Sequence, residues 1–164
     1  MGKAIVRLDN VAATKNPALI KSAKYMGDGT TATAIENGMF VAIGGLMEDE
    51  REIHVATTPA VDSTYFGIVT TPEVDYNEIG YNDLDTFENP ADEPIRVTIL
   101  QKGDIYSVTA EGFNATPVKD QLVELQAGVK AKVVDEATSG STQIGKIIDI
   151  DTVGRFTFYA VEVQ

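Results

Sequence analysis

The chain reads as mainly β: one or two small antiparallel β-barrel or sandwich units with an extended N-terminal arm. Three observations predict this. Alternating or β-branched runs recur along most of the sequence, at the spacing of an antiparallel barrel or sandwich. Gly, Pro, Asn and Asp clusters separate them. Charge is sorted by segment, which divides the chain into an arm (1–35), a first small β unit (36–71), an acidic extended linker or loop (72–94) and a C-terminal barrel-like domain (95–164).

The arm is the basic part. Residues 1–30 carry five bases (Lys3, Arg7, Lys15, Lys21, Lys24) against Asp9 and Asp28, a balance of +3. Asn16-Pro17 has the form of an N-cap followed by proline at the first helical position, and ALIKSAKYM follows. A helix of about nine residues would be marginal alone. An extended arm with one turn fits the same residues equally well. Gly27-Asp-Gly-Thr-Thr ends the segment under either reading.

The first β unit carries strand runs at Met39–Ile43, Glu52–Ala56 and Tyr65–Thr70. The linker, Pro72 to Pro94, is acidic, poor in β-branched residues and bounded by proline. Disordered segments seldom hold so many large apolar residues, so Tyr76, Ile79, Tyr81, Leu84 and Phe87 read as docking points. The C-terminal domain has runs at Pro94–Leu100, Asp104–Ala110, Gln121–Leu125, Lys130–Val134, Gln143–Ile150 and Arg155–Val163. In the last run Phe156, Phe158 and Ala160 alternate with Thr157, Tyr159 and Val161, which predicts cover on both faces.

A short echo recurs at Gly38–Ile43, Gly103–Val108 and Asp120–Leu125. Each starts on a turn residue and sets large residues at +3 (Val41, Tyr106, Val123) and +5 (Ile43, Val108, Leu125). It describes a strand that leaves a tight turn and buries alternate side chains; two related β units on either side of residue 94 would produce it.

Composition excludes several classes. With no cysteine there is no disulfide framework, thiolate zinc site or thiol nucleophile. The N-terminus lacks the apolar stretch of a signal peptide, and no run approaches a membrane span. These features predict a soluble protein without a membrane partner. Residues 47–94 hold thirteen acids against Arg51, and the whole chain carries a net −12. A surface this acidic repels phosphate and predicts no nucleic-acid partner. The basic arm and acidic middle are complementary, so one copy's arm fits the next copy's acidic face. A solubilising acidic surface explains the same charge equally well.

Catalytic patterns are sparse. His54, the sole histidine, lies in a strand run with no Gly-x-Ser-x-Gly elbow elsewhere, and reads as an ordinary strand residue. Asp75–Gly80 resembles half an EF-hand loop, but Ile79 and Thr86 stand where ligands belong. Asp83 with Asp85, and Asp149 with Asp151, put paired carboxylates on one side of an extended chain. That suits a cation or a glycosidase pair, and equally a solvated acidic face. The expectation is no catalytic residue, no metal and no cofactor.

Five stretches together resemble a known class: NGMFVAIGGL (37–46), EREIHVATTP (50–59), GIVTTPEVDYNE (67–78), FENPADEPIRVTILQKGDIYSVTAEGF (87–113) and IGKIIDID with RFTFYAVEV at the end. They are similar to head decoration, or auxiliary capsid, proteins of tailed bacteriophages. The resemblance implies a cement protein, made in the host cytoplasm and placed on the capsid exterior. There it binds across major capsid protein subunits, as a homo-oligomer or a symmetric array. The arm and linker then supply the interface residues Arg7, Lys15, Lys21, Lys24, Tyr76, Tyr81 and Phe87. A neck or tail structural protein, and a surface-exposed β module binding glycans or a host surface, are the alternatives. The glycan module needs an aromatic platform, and tryptophan is absent.

Overall fold

The computed structural model describes residues 2–74 and 84–164. Its strands are β1 (Val6–Asn10), β2 (Ile20–Tyr25), β3 (Phe40–Leu46), β4 (Ile53–Thr57), β5 (Phe66–Val69), β6 (Ile95–Thr98), β7 (Ile105–Thr109), β8 (Leu122–Gln126), β9 (Gly128–Val134), β10 (Gln143–Val153) and β11 (Phe156–Val163). Short 3₁₀ turns at Ala12–Thr14, Pro17–Leu19, Leu84–Thr86 and Ala110–Gly112 are the helical elements among the described residues.

Two sheets result. A closed barrel has the order β2-β4-β3-β5-β6, with β6 pairing back onto β2. The second sheet runs β1-β7-β11-β10-β8-β9. The named strands all pair antiparallel except β2 with β4, where Ser22–Tyr25 lies parallel to Ile53–Ala56. The mainly-β expectation therefore holds, and the nine strand runs of residues 39–163 all become strands.

The N-terminal arm does not. β1 pairs with β7 at Val6–Val108 and Leu8–Tyr106, and β2 completes the barrel between β4 and β6. The reason lies in period-2 burial. Val6 and Leu8 pack on the core while Arg7 and Asp9 face out, and Ala23 and Tyr25 are buried while Ser22 is exposed. The cap signal at Asn16 is real, since its Oδ1 accepts a hydrogen bond from the Ala18 amide at 3.1 Å. It opens only one 3₁₀ turn. A lone short helix cannot compete with a strand hydrogen-bonded on both edges.

The division at 72–94 also changes. β6 belongs to the barrel, beside β2 and β5, so residues 72–94 leave and re-enter one unit rather than joining two. Both ends of the segment meet at Asn37, which is buried. Its side-chain amide donates to the Thr71 carbonyl (2.7 Å) and to Glu73 Oε1 (3.2 Å). Its Oδ1 accepts from the Thr71 amide (3.1 Å) and from Asn89 Nδ2 (3.2 Å). Asn89 exchanges two backbone hydrogen bonds with Ile35. The segment is thus a loop closed at its neck.

The two units share one core. A single buried cluster runs from Ala23, Phe40 and Ile68 in the barrel to Tyr106, Val123 and Val161 in the sheet. Phe40 meets Tyr106 edge-on at 6.2 Å. The Thr142 amide donates to the Val61 carbonyl at 2.8 Å across the same boundary. The echo has a structural basis at all three places. Gly38, Gly103 and Asp120 have φ of +78°, +90° and +75°, and a strand starts two residues later. The residues at +3 and +5 are buried in each case.

Candidate interaction surface

Part of the charge sorting seen in the sequence is satisfied within the chain. Lys3 Nζ lies 3.1 Å from Glu88 and 3.3 Å from Glu36, and the Lys3 amide donates to the Asp85 carbonyl. The hydrogen bond to Glu88 raises the Lys3 pKa above its ordinary value, opposed by desolvation and helped by Glu36. Lys24 pairs with Asp92 at 2.8 Å, and Arg155 with Asp85 at 3.0 Å. Lys3, Lys24 and Arg155 therefore hold the base of the acidic loop of their own molecule.

Among the interface residues expected from sequence, Lys24 is committed to the loop base and Arg7 to carboxylates elsewhere in its own sheet. The Arg7 guanidinium lies 2.6 Å from Asp9 and 3.5 Å from Asp151, and covers the Phe158 ring at 4.9 Å. Lys15 is exposed and Lys21 half-buried, both without an ion pair among the described residues. Phe87 is half-buried beside the loop base. Tyr76 and Tyr81 lie outside the described residues, as do Asp75 and Asp83 of the carboxylate motifs.

The remaining carboxylates do not converge. Asp149 and Asp151 each face a different cation, Lys119 and Arg7, both at 3.5 Å. Asp120 is held below the usual carboxylate range by the hydrogen bond and charge of Lys146, 2.7 Å away. Asp28 is lowered by the Thr30 and Thr31 amides and the Thr30 hydroxyl, which donate to its Oδ1. Both are surface turn interactions. His54 lies in β4 with Nδ1 3.0 Å from the Gly44 carbonyl oxygen. No group of three or more His, Asp or Glu side chains among the described residues could hold a metal ion. No helix among them is long and apolar enough to cross a membrane.

A shallow recess of about 210 Å³ is lined by Lys3, Asp85, Glu111, Arg155 and Phe156 among others. Small-molecule sites commonly occupy about 300–1,000 Å³. Its Lys3, Asp85 and Arg155 are already tied by the loop-base contacts.

Two buried polar groups escaped the sequence reading. Tyr106 is fully buried with no partner for its hydroxyl, and desolvation pushes its pKa above the usual tyrosine value. Glu124 stands between Val123 and Leu125, a position that alternation assigns to the solvated face. The chain around Thr138 covers it instead, and the Thr138 amide donates to Oε1 at 2.6 Å while Oε2 has no partner. Only the presence of an acid inside a strand run marked the place.

Exposed apolar side chains gather at strand ends and turns: Leu46 at the end of β3, Val61 and Tyr65 before β5, Val118 before β8, and Ile150 and Val153 toward the end of β10. Tyr65 is the one aromatic among the exposed large apolar residues described, so they hold no aromatic platform. Comparison with known families, curated proteins and solved structures finds no match to this chain.

Proposed function

We propose that this chain is a structural protein of a tailed-phage virion, a non-enzymatic decoration protein that binds the capsid exterior across major capsid protein subunits. The observation that supports it is the surface itself: a body braced by internal ion pairs, with apolar residues projecting at strand ends. Such a body binds through shallow contacts repeated by symmetry, which multiply into avidity without a tight site. Shared-core packing of the two units suits a protein that must transmit load rather than close on a ligand.

The test is cosedimentation of the purified protein with empty shells assembled from a tailed-phage major capsid protein. Saturable binding at a fixed ratio to shell subunits is expected. Binding to tails or necks alone would move the protein to that part of the virion. Binding to neither, with turnover or capture of a polysaccharide, would replace the structural reading.

A further inference from the structure

Among the described residues most strand edges are closed, covered or short. The barrel is closed and has no edge. The outer edge of β9 is covered, since the Asn114 amide donates to the Ala131 carbonyl and Asn114 Oδ1 accepts from the Val133 amide. β1 is short and interrupted by a bulge between Leu8 and Asn10. β10 differs. It runs eleven residues, yet β8 pairs with it only over Gln143–Lys146 and through the backbone of Ile147. From Ile148 to Val153 it has a strand partner on the β11 side alone among the described residues. Unpaired edges of this kind are templates for another chain.

The phase of the open edge follows from the hairpin. Val153 pairs with Phe156 across the two-residue turn, so that pair exchanges both hydrogen bonds. Alternation then turns the N–H and C=O of Thr152 and Ile150 toward the open side. Asp149 and Asp151 occupy one face of this run and Ile150 the other. The two aspartates keep 68% and 54% of their side chains exposed, and their partners Lys119 and Arg7 stand at 3.5 Å. Exposed pairs this long contribute little and exchange readily.

We infer that the β10 edge, residues 148–153, is a β-augmentation site for an extended partner segment carrying alternate basic residues. Main-chain pairing supplies affinity and alternate side chains supply selectivity. Residues directly opposite Asp149 and Asp151 are favoured when cationic and disfavoured when acidic. The same rule disfavours a second copy of this chain. A two-fold pairing centred on Asp149, Ile150 or Asp151 sets aspartate opposite aspartate. The inference goes beyond the proposed function, because it holds for a basic strand from any assembly.

The experiment uses the full isotope-labelled chain and two blocked six-residue peptides, one alternating Lys and Val and one alternating Glu and Val. With the Lys peptide, amide shifts should map to Ile148–Val153 and exchange at Ile150 and Thr152 should slow at least tenfold. The Glu peptide should leave them unchanged. In Asp149→Lys/Asp151→Lys, both exposed positions, the preference should reverse while the unfolding midpoint stays near that of the parent. Equal response to both peptides, shifts centred on β1, or concentration-dependent dimers that protect residues 148–153 without peptide would each overturn the inference.

Discussion

Replacing Asn37 by alanine probes the neck of the acidic loop most sharply. Four hydrogen bonds pass through this buried side chain: it donates to the Thr71 carbonyl and to Glu73, and accepts from the Thr71 amide and from Asn89. Asn89 Nδ2 keeps the Ile35 carbonyl at 2.9 Å, and Glu73 is half-buried and can turn to water. The Thr71 amide and carbonyl lose their partner in a half-buried place. Each such orphan costs about 1–3 kcal/mol, so the substitution should destabilise by about 3 kcal/mol. For chains of 150–250 residues each kcal/mol moves Tm by about 2–4 °C, which gives a drop of about 6–12 °C. Thermal unfolding followed by circular dichroism reads the shift. Hydrogen exchange should show the loss concentrated at Ile35, Thr71 and Asn89. A change below about 0.5 kcal/mol, the level of an ordinary surface substitution, would mean that the neck is not closed through Asn37.

Other consequences concern the N-terminal strands, the sheet and acid. Trypsin should spare Arg7, Lys21 and Lys24 in the native protein because β1 and β2 are paired, while exposed Lys15 is open to attack; early cleavage after Lys24 would restore a free arm. Gly145→Ala should give little folded protein, since a Cβ there collides with the Glu162 carbonyl and comes within 3.0 Å of Val163 Cα; normal expression and melting would contradict the close crossing of β10 and β11. Asp120 and Asp28 have lowered folded pKa values, set first by Lys146 and by the Thr30 amide respectively. Their contribution is present above the unfolded carboxylate pKa of about 4 and is lost as pH falls through the lower folded values. Urea unfolding from pH 5 to pH 2 should therefore show a shallower acid loss in Asp120→Asn/Asp28→Asn. Asparagine tolerates the left-handed backbone at position 120, and an unchanged slope would remove these two groups from the acid response.

The sequence showed most of the sheet but not its wiring. Nine runs from Met39 onward combine β-branched residues with turn punctuation, and all nine form strands because local pattern and long-range pairing agree there. β1 and β2 carried the same alternation, in Val6-Arg7-Leu8-Asp9 and Ser22-Ala23-Lys24-Tyr25. It was outweighed by their basic charge and by the Asn16-Pro17 cap. What hid the domain division was β6, whose partners β2 and β5 are set by barrel closure, a relation with no local signature. Opposite charges were legible as complementary, yet not as partners within one molecule. Lys3 reaches Glu36 and Glu88, and Lys24 reaches Asp92, only because β1 and β2 flank the loop base. The burial of Glu124 depends on the chain at Thr138 folding over it, which alternation alone cannot reveal. The open edge of β10 follows from an eleven-residue strand meeting a five-residue neighbour, β8.

A decoration protein that stabilises its shell changes the mechanics of that shell. Empty shells of the major capsid protein that this protein binds in cosedimentation should be heated with and without saturating amounts of it, and their disruption followed by light scattering. The disruption temperature should rise and saturate at the same ratio as binding, with a lesser rise for Asp149→Lys/Asp151→Lys. Shells that bind the protein at full occupancy yet break at an unchanged temperature would contradict a stabilising decoration role.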